Sequence, residues 1–288
     1  MILLDYILSF FQNEAIQKKY PPTLTGINNK SYEFVKFIAK GGYGTVVKVK
    51  EKGGGFYAIK TFLSIQDKDD KEFEMFRKTF HIENVVKAYS MFKTKSETHI
   101  VMEFLQGGDL WDNLYEFGPM PRLKAISLFR KLVITIGELL MMGLYPSDLK
   151  AENLYHDRKK NNLKILDLGG MKDRTQENEE TKEIGTPCFY PPEYHLQEKK
   201  QQIEYWEENG ELYLSWMLGL ILWHMIVGEQ KFICSQEDIS NFNLDIPTRI
   251  LGLQGSQTYY LLIQLLAKDP SKRIKFWTLH KKLGISSL

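Results

Sequence analysis

Apolar residues occur along this chain in short runs and at helical spacings, and these patterns predict its secondary structure. The runs at 37–49, 56–60 and 99–105 predict a glycine-containing hairpin, a neighbouring strand and a strand that ends in a Gly-Gly turn. The stretches 71–80 and 215–228 predict two helices. The first of these helices depends on apolar side chains at helical spacing, namely Phe73, Phe76 and Phe80.

Residues 1–31 form a predicted amphipathic N-terminal extension. Its strongly apolar part contains Ile2, Leu3, Leu4, Tyr6, Ile7, Leu8, Phe10 and Phe11. Four of these share helical spacing, namely Leu3, Ile7, Phe10 and Phe11. We expect this helix to dock onto the rest of the protein and to end before Pro21-Pro22; binding to a membrane surface or to a partner is the alternative. The stretch lacks the basic region and small-residue cleavage site of a signal peptide.

Two polar segments carry the chemistry. In residues 145–154 and 165–169, a carboxylate, an amine, an amide and a second carboxylate stand at a spacing that suits phosphoryl transfer: Asp148, Lys150, Asn153 and Asp167. The segments resemble the catalytic loop, His-Arg-Asp-x-Lys-x-x-Asn, and the metal-binding turn, Asp-Phe-Gly, of eukaryotic-type protein kinases. The His-Arg pair is replaced here by Pro146-Ser147.

The resemblance implies a role for each matched side chain. Asp148 would accept the proton of a substrate hydroxyl, and Lys150 would neutralise charge on the transferred phosphoryl group. Asn153 and Asp167 would supply oxygen ligands to Mg²⁺. The expected cofactors are therefore ATP and Mg²⁺.

The upstream half resembles the small lobe of the same family. Residues 37–49 are similar to the glycine-rich hairpin over the ATP phosphates, with Ala39 in place of the first glycine. Residues 56–60 are similar to the Val-Ala-Ile-Lys strand, and residues 99–110 to the hinge that binds adenine and ribose. The implied nucleotide-binding positions are Ala39, Gly41, Gly42, Gly44, Val46, Ala58, Lys60, Met102, Glu103, Leu105, Asp109, Asn153 and Asp167.

Lys60 is a charged residue in an apolar strand and needs a carboxylate partner. Glu72 fits this role because apolar residues follow it at the positions that a buried helix face requires. Glu74 is the competitor, but Lys78 would then fall where an apolar residue belongs. We therefore assign Lys60 and Glu72, with Asp148 and Lys150, to the catalytic set.

Residues 185–193 resemble the family's Gly-Thr-x-x-Tyr-x-Ala-Pro-Glu segment, where Glu193 would pair with a buried arginine, here Arg273. Residues 215–228 resemble the central helix of the large lobe, but Leu214 replaces the aspartate that braces the catalytic loop.

The fold class implied by the resemblance is α+β: a bilobal protein-kinase-like fold. It has a small antiparallel-sheet lobe with one main helix at 32–103, a larger, mostly helical lobe at 104–288, and ATP between them. Lys150 and Thr186 resemble the residues of kinases that act on Ser and Thr, so the expected substrate is a protein. A pseudokinase that binds ATP without turnover is the alternative, and a small-molecule phosphotransferase is disfavoured by the peptide-docking segment.

Regulation is expected to differ from much of the family. Ser147 cannot bind a phosphorylated activation loop as an arginine does, and acidic residues crowd that loop: Asp173, Glu177, Glu179, Glu180 and Glu183. We therefore predict activity that does not require phosphorylation of Thr175 or Thr181.

Composition adds little to this interpretation. The 288 residues are 43% hydrophobic with a net charge of +2, which favours neither nucleic-acid binding nor an unusual partner. Two cysteines are too few for a disulfide framework and suit an intracellular, cytoplasmic protein. Cys188 is expected to be an ordinary small residue, with a redox role as the alternative. Apolar runs fall short of the ~18 residues of a membrane-spanning helix. The acidic, aromatic segment 197–211 is expected to be an extended surface loop, with partner binding as the alternative.

Overall fold

The computed structural model describes residues 23–26, 30–41, 44–63, 68–174, 185–195, 201–228 and 254–285. The apolar N-terminal stretch therefore lies outside the described residues, as do Gly42, Thr175 and Thr181. The chain divides into two compact units, Met1–Gln106 and Gly107–Leu288.

The first unit is built on a six-stranded antiparallel sheet with the strand order β1-β2-β3-β4-β6-β5. Its strands are β1 (Thr23–Thr25), β2 (Ser31–Gly41), β3 (Gly44–Glu51), β4 (Phe56–Leu63), β5 (Ala88–Lys93) and β6 (Glu97–Glu103). One helix, α1 (Lys68–Lys78), follows β4. Alternate side chains of the strands point to one face and form the core there: Leu24, Tyr32, Val47, Val49, Ile59 and Val101.

Helix α1 begins and ends earlier than the apolar spacing predicts. Because the helix stops at Lys78, Phe80 falls in the following turn and is 48% exposed instead of buried. Phe76 is buried as predicted, and Met75 joins it on the buried face. Phe80 packs edge-on against Tyr89, at 6.4 Å between ring centroids.

The second unit is mainly helical. The helices in its described residues are α2 (Leu110–Phe117), α3 (Arg122–Met141), α4 (Pro192–His195), α5 (Gln201–Val227), α6 (Gln257–Leu265) and α7 (Phe276–Lys282). The same part of the chain contains the short strands β7 (Leu144–Pro146), β8 (Leu154–Asp157), β9 (Asn162–Ile165) and β10 (Met171–Asp173). They pair as β7 with β10 and β8 with β9. Among the residues that the structure describes, an antiparallel sheet with one helix, followed by a mainly helical unit, confirms the predicted α+β fold class.

Helix α5 differs from two expectations: that residues 197–211 form a surface loop, and that apolar runs are too short to span a membrane. Residues 201–211 are helical and continuous with the apolar central stretch, so the predicted surface loop is wrong over this range. Trp206 is buried and explains the difference, because it gives this otherwise polar segment one side that packs inward. As a result, Trp206–Val227 is long and apolar enough to cross a membrane, although 78% of its apolar window is buried, as in a core helix.

Candidate active site

In the first unit, β4 and α1 hold the two members of the predicted ion pair. The Lys60 amine lies 2.7 Å from Glu72 Oε1, and Lys60 is only 8% exposed. Glu74, the competitor, is exposed and lies 4.0 Å from Lys78 on the same helix. The lysine charge in the sheet is thus compensated by Glu72.

The glycine-rich hairpin is the β2–β3 connection. Ala39 pairs with Val46, and Gly41 pairs with Gly44. Gly44 has a φ of +144°, and a Cβ there would overlap the backbone of Thr61, so only glycine fits this position. The hairpin therefore holds its backbone close to β4 at the start of β3.

The predicted adenine-binding positions lie at the end of β6. Met102 is buried and pairs with Ala58 of β4. The N–H of Glu103 donates to the carbonyl of Lys87 at 2.9 Å, and its carboxylate accepts from the N–H of Lys87, also at 2.9 Å. Leu105 follows in the irregular segment after the strand.

Asp109, the predicted ribose-binding residue, is the N-cap of α2 in the second unit. Its Oδ1 accepts the backbone N–H of Asp112 at 2.7 Å. Burial raises the pKa of Asp109 to about 6, although this hydrogen bond acts in the opposite direction. Glu152 and Asp112 also raise the pKa by charge repulsion.

This pKa predicts a pH dependence of stability. The folded state holds a proton on Asp109 that the unfolded state has lost, so stability should fall as pH rises from about 4 to about 6. Asparagine caps a helix equally well. The free energy of unfolding of Asp109→Asn should therefore rise relative to that of the parent by about 1–2 kcal/mol between pH 4 and 7. Urea unfolding at several pH values measures this.

The matched control is Asp157→Asn. Hydrogen bonds from the backbone, first that of Lys160, lower the pKa of Asp157, so this variant should lose stability relative to the parent over the same pH range. Equal pH profiles for the parent and Asp109→Asn would contradict the assignment.

The predicted catalytic loop, between β7 and β8, forms one hydrogen-bonded cluster around Asp148. Lys150 lies 3.0 Å from Asp148 Oδ2 and donates to the Thr186 hydroxyl at 2.7 Å. That hydroxyl donates to Asp148 Oδ1 at 2.6 Å. The amide of Asn153 donates to the Asp148 carbonyl at 2.9 Å and to Oδ2 at 3.2 Å. The cluster therefore joins the catalytic loop to the Gly-Thr segment.

Two glycines allow the surrounding loops to approach Asp148. Gly170, directly after the predicted metal-binding turn, leaves no room for a side chain because a Cβ there would lie 2.9 Å from the Cβ of Asp148. Gly185 has a φ of +76°, and a Cβ there would overlap the carbonyl oxygen of Ser147. Both loops are thus held within van der Waals distance of the catalytic loop.

Two predicted metal ligands lie in this unit. The amide nitrogen of Asn153 donates to Asp148, and this hydrogen bond orients the side-chain carbonyl oxygen that is the predicted ligand. Asp167 Oδ1 accepts the N–H of Gly169 at 2.8 Å. Among the described residues, no group of three or more His, Cys, Asp or Glu side chains could hold a metal ion. A carboxylate and an amide oxygen fit Mg²⁺, which takes few protein ligands and completes its shell with water and phosphate oxygens.

The departures from the family pattern have a clear structural setting. Ser147 is 1% exposed, and both its N–H, at 3.1 Å, and its hydroxyl, at 2.5 Å, donate to the carbonyl of Gly170. Pro146 pairs with Met171 at the end of β7. Leu214 is buried within α5. The serine thus links the catalytic loop to the residue that follows the predicted metal-binding turn, a contact that the motif comparison did not suggest.

The predicted Glu193–Arg273 pair is present and bidentate. The guanidinium lies 2.5 Å from Glu193 Oε1 and 2.8 Å from Oε2, and Arg273 is 4% exposed. It also donates to the carbonyls of Ala267 and Leu212. This pair connects α4 with the segment before α7.

Cys188 lies beside Thr186 in the short 3₁₀-helix Pro187–Phe189. It takes part in a disulfide bond, so the expectation that the cysteines form no disulfide, and that Cys188 is an ordinary small residue, is wrong. Cys234 lies outside the described residues.

Comparison with known proteins agrees with this geometry. A model of the protein kinase domain matches residues 32–282. The chain is 29% identical over 257 residues to serine/threonine-protein kinase SRK2F of Arabidopsis thaliana, covering 84% of this chain and 70% of that protein. It is 27% identical to serine/threonine-protein kinase SAPK9 of Oryza sativa subsp. japonica and to serine/threonine-protein kinase Sgk2 of Homo sapiens. Each of these alignments covers 84% of this chain and 66% of the relative.

The chain spans about two thirds of the length of these three relatives. Because the family model matches most of the chain, with the paired Lys60 and the Asp148 cluster inside the match, this chain belongs to the protein kinase domain family.

Proposed function

We propose that this protein transfers the γ-phosphoryl group of ATP to serine and threonine hydroxyls of protein substrates. The observation that carries the proposal is the hydrogen-bonded chain from Lys150 through Thr186 to Asp148. It places a cation and a carboxylate within 3.0 Å of each other. Phosphoryl transfer to a hydroxyl needs both, because a proton must leave the hydroxyl while negative charge builds on the phosphoryl group.

Asp148 is the proposed base. A carboxylate has about four acceptor positions, so it can accept a substrate hydroxyl in addition to its present partners. Asn153 and Lys150 hold Oδ2, and this fixes the plane of the carboxylate. Orientation of this kind is the main contribution that a kinase makes to the reaction.

Lys150 is proposed to bind the transferred phosphoryl group, and Lys60 to bind the α- and β-phosphates. Glu72 holds the Lys60 amine in one position, so little rotamer freedom is lost on binding. Asn153 and Asp167 would hold Mg²⁺, which supplies charge stabilisation to the phosphate oxygens when bound.

One observation favours an ATP-binding module without turnover as the second candidate. Both carboxylate oxygens of Asp148 already have partners, and the shortest contact, 2.6 Å, is with the hydroxyl of Thr186. If Thr186 cannot make room for a substrate hydroxyl, Asp148 cannot act as a base.

The experiment follows labelled γ-phosphate from Mg·ATP in the presence of a Ser/Thr peptide pool or a pool of small hydroxyl-containing metabolites. Label on peptide supports the proposal, and label only on a metabolite contradicts it. ATP binding to the parent that is lost in Lys60→Met, with no transfer to either pool, favours the second candidate.

We further propose that activity does not depend on activation-loop phosphorylation. Ser147 is buried and bonded to Gly170, so it cannot bind a phosphate on the loop. Thr175→Ala/Thr181→Ala should therefore retain at least about half of the parent rate, since no phosphate contact is lost. The measurement is peptide phosphorylation by phosphatase-treated parent and double variant, and loss of most activity in either would contradict the prediction.

A further inference from the structure

Arg174 follows β10 directly, at the start of the segment that leads away from the predicted metal-binding turn. Its guanidinium carbon lies 3.9 Å from the ring centroid of Tyr145 and 4.7 Å from that of Trp206. The two rings are nearly perpendicular, at 82°. The planar cation thus contacts two aromatic rings that come from the strand before the catalytic loop and from helix α5.

The same guanidinium also binds the backbone of α5. Its Nη2 donates to the carbonyls of Trp206 at 3.3 Å and of Glu207 at 3.1 Å. The backbone of α5 leaves helical geometry at Asn209, so these carbonyls belong to the last turn before the kink. Carbonyls at such a helix end attract cations.

The packing around this contact is close. A Cβ at Gly210 would lie 2.8 Å from Arg174 Nη2 and 3.6 Å from a ring atom of Tyr145. Trp206 is 3% exposed. We call Arg174, Tyr145 and Trp206 together the Arg174 anchor.

The Arg174 anchor is connected to the base by backbone. The N–H of Arg174 donates to the carbonyl of Gly143 at 2.9 Å, which extends the β7–β10 pairing by one step. Strand β7 ends at Pro146, two residues before Asp148, and β10 begins two residues after Gly169. Strands β7 and β10 flank the base and the metal-binding turn. Through Tyr145 and Arg174, both strands are thus attached to a single site on α5.

We propose that Arg174 is a positioning residue that holds the catalytic loop and the predicted metal-binding turn in register by binding α5, without a phosphate on the activation loop. This inference rests on the proposed kinase function. It gives a physical reason for independence from phosphorylation, since a permanent cation and two aromatic rings supply a fixed attachment for the segment. Tyr145 and Trp206 act through Arg174 and not on the substrate.

The test compares Arg174→Ala and Arg174→Lys with the parent. Arg174 is exposed, so both variants should fold. Arg174→Lys keeps the charge but loses the planar face and the fork of donors. The matched control is Arg158→Ala, because Arg158 also stacks on an aromatic ring of this unit, with its guanidinium carbon 3.4 Å from the Phe117 centroid.

Two readouts are needed: steady-state phosphorylation of a Ser/Thr peptide, and backbone hydrogen exchange of residues 143–148. Arg174→Ala should lower kcat about tenfold, which corresponds to about 1.4 kcal/mol, and change KM for ATP less than about twofold. Exchange in residues 143–148 should become faster in the same variant. Arg174→Lys should give values between those of the parent and Arg174→Ala. Arg158→Ala should match the parent in both readouts.

Unchanged exchange in Arg174→Ala, or a kcat equal to that of Arg158→Ala, would overturn the proposal. A Tyr145→Leu/Arg174→Ala double variant should lose less than the product of the two single effects, because both side chains belong to one contact. If the parent transfers no phosphate, the proposed function fails, while the exchange measurement still decides whether Arg174 holds the catalytic loop.

Discussion

Asp148→Asn should lower the rate of peptide phosphorylation by at least about 10³-fold, the upper part of the range for loss of a positioned base. Asparagine has nearly the same shape, so it can still accept the hydroxyl of Thr186. It cannot take up a proton, and it removes the negative charge that faces Lys150 at 3.0 Å. The effect should therefore appear in kcat, with ATP binding retained.

The measurement is transfer of labelled γ-phosphate under saturating Mg·ATP, together with ATP affinity by titration. Asp157→Asn is the matched control, since Asp157 lies at the end of β8 and accepts only turn N–H groups of Lys159 and Lys160 in the described contacts. Asparagine supports such turns, so this variant should keep the parent rate. Equal rates for Asp148→Asn and the parent would remove Asp148 from the role of base.

Glu193→Gln should lower the free energy of unfolding by about 3–5 kcal/mol, the cost of leaving a buried charge without its counter-ion. Arg273 is 4% exposed and binds both oxygens of Glu193, so its guanidinium cannot turn to water. Glu193→Gln/Arg273→Met should be less destabilised than the sum of the single variants, because it leaves no buried charge.

Urea unfolding followed by fluorescence measures this, with Lys272→Met as control. Lys272 is the neighbour of Arg273, but its ion pair with Asp269 is long, at 3.6 Å, and its side chain is 78% exposed. Loss of such a pair costs at most about 1 kcal/mol. A Glu193→Gln variant that is no less stable than Lys272→Met would show that the bidentate pair does not stabilise the fold.

Contacts that depend on sequence motifs could be predicted in advance. Lys60 needed a carboxylate, and the apolar spacing of α1 selected Glu72 over Glu74, as the structure shows. The Glu193–Arg273 pair followed from two segments of fixed pattern. In each case a charged residue in an apolar setting limits the choice of partner, because an unpaired buried charge is too costly.

Features that depend on how distant elements pack could not be predicted in this way. Residues 201–211 are rich in Glu and Gln, and this polarity suggested a surface loop, although both residue types favour helices. Trp206 and Tyr213 stand seven residues apart and both are buried, a helical spacing that could have revealed the buried face. The stacking of Arg174 on Trp206 depends on where α5 and β10 meet in space, and no local pattern carries that information.

The burial of Ser147 limits which side chains can occupy this position. An arginine at this position, as in the family pattern, would remove the hydroxyl bond to Gly170 and bring a guanidinium into a place that is 1% exposed. Leu214, another departure from the family pattern, is also buried, within α5. We therefore expect Ser147→Arg alone to destabilise the catalytic loop, so that an arginine fits this position only together with changes around it.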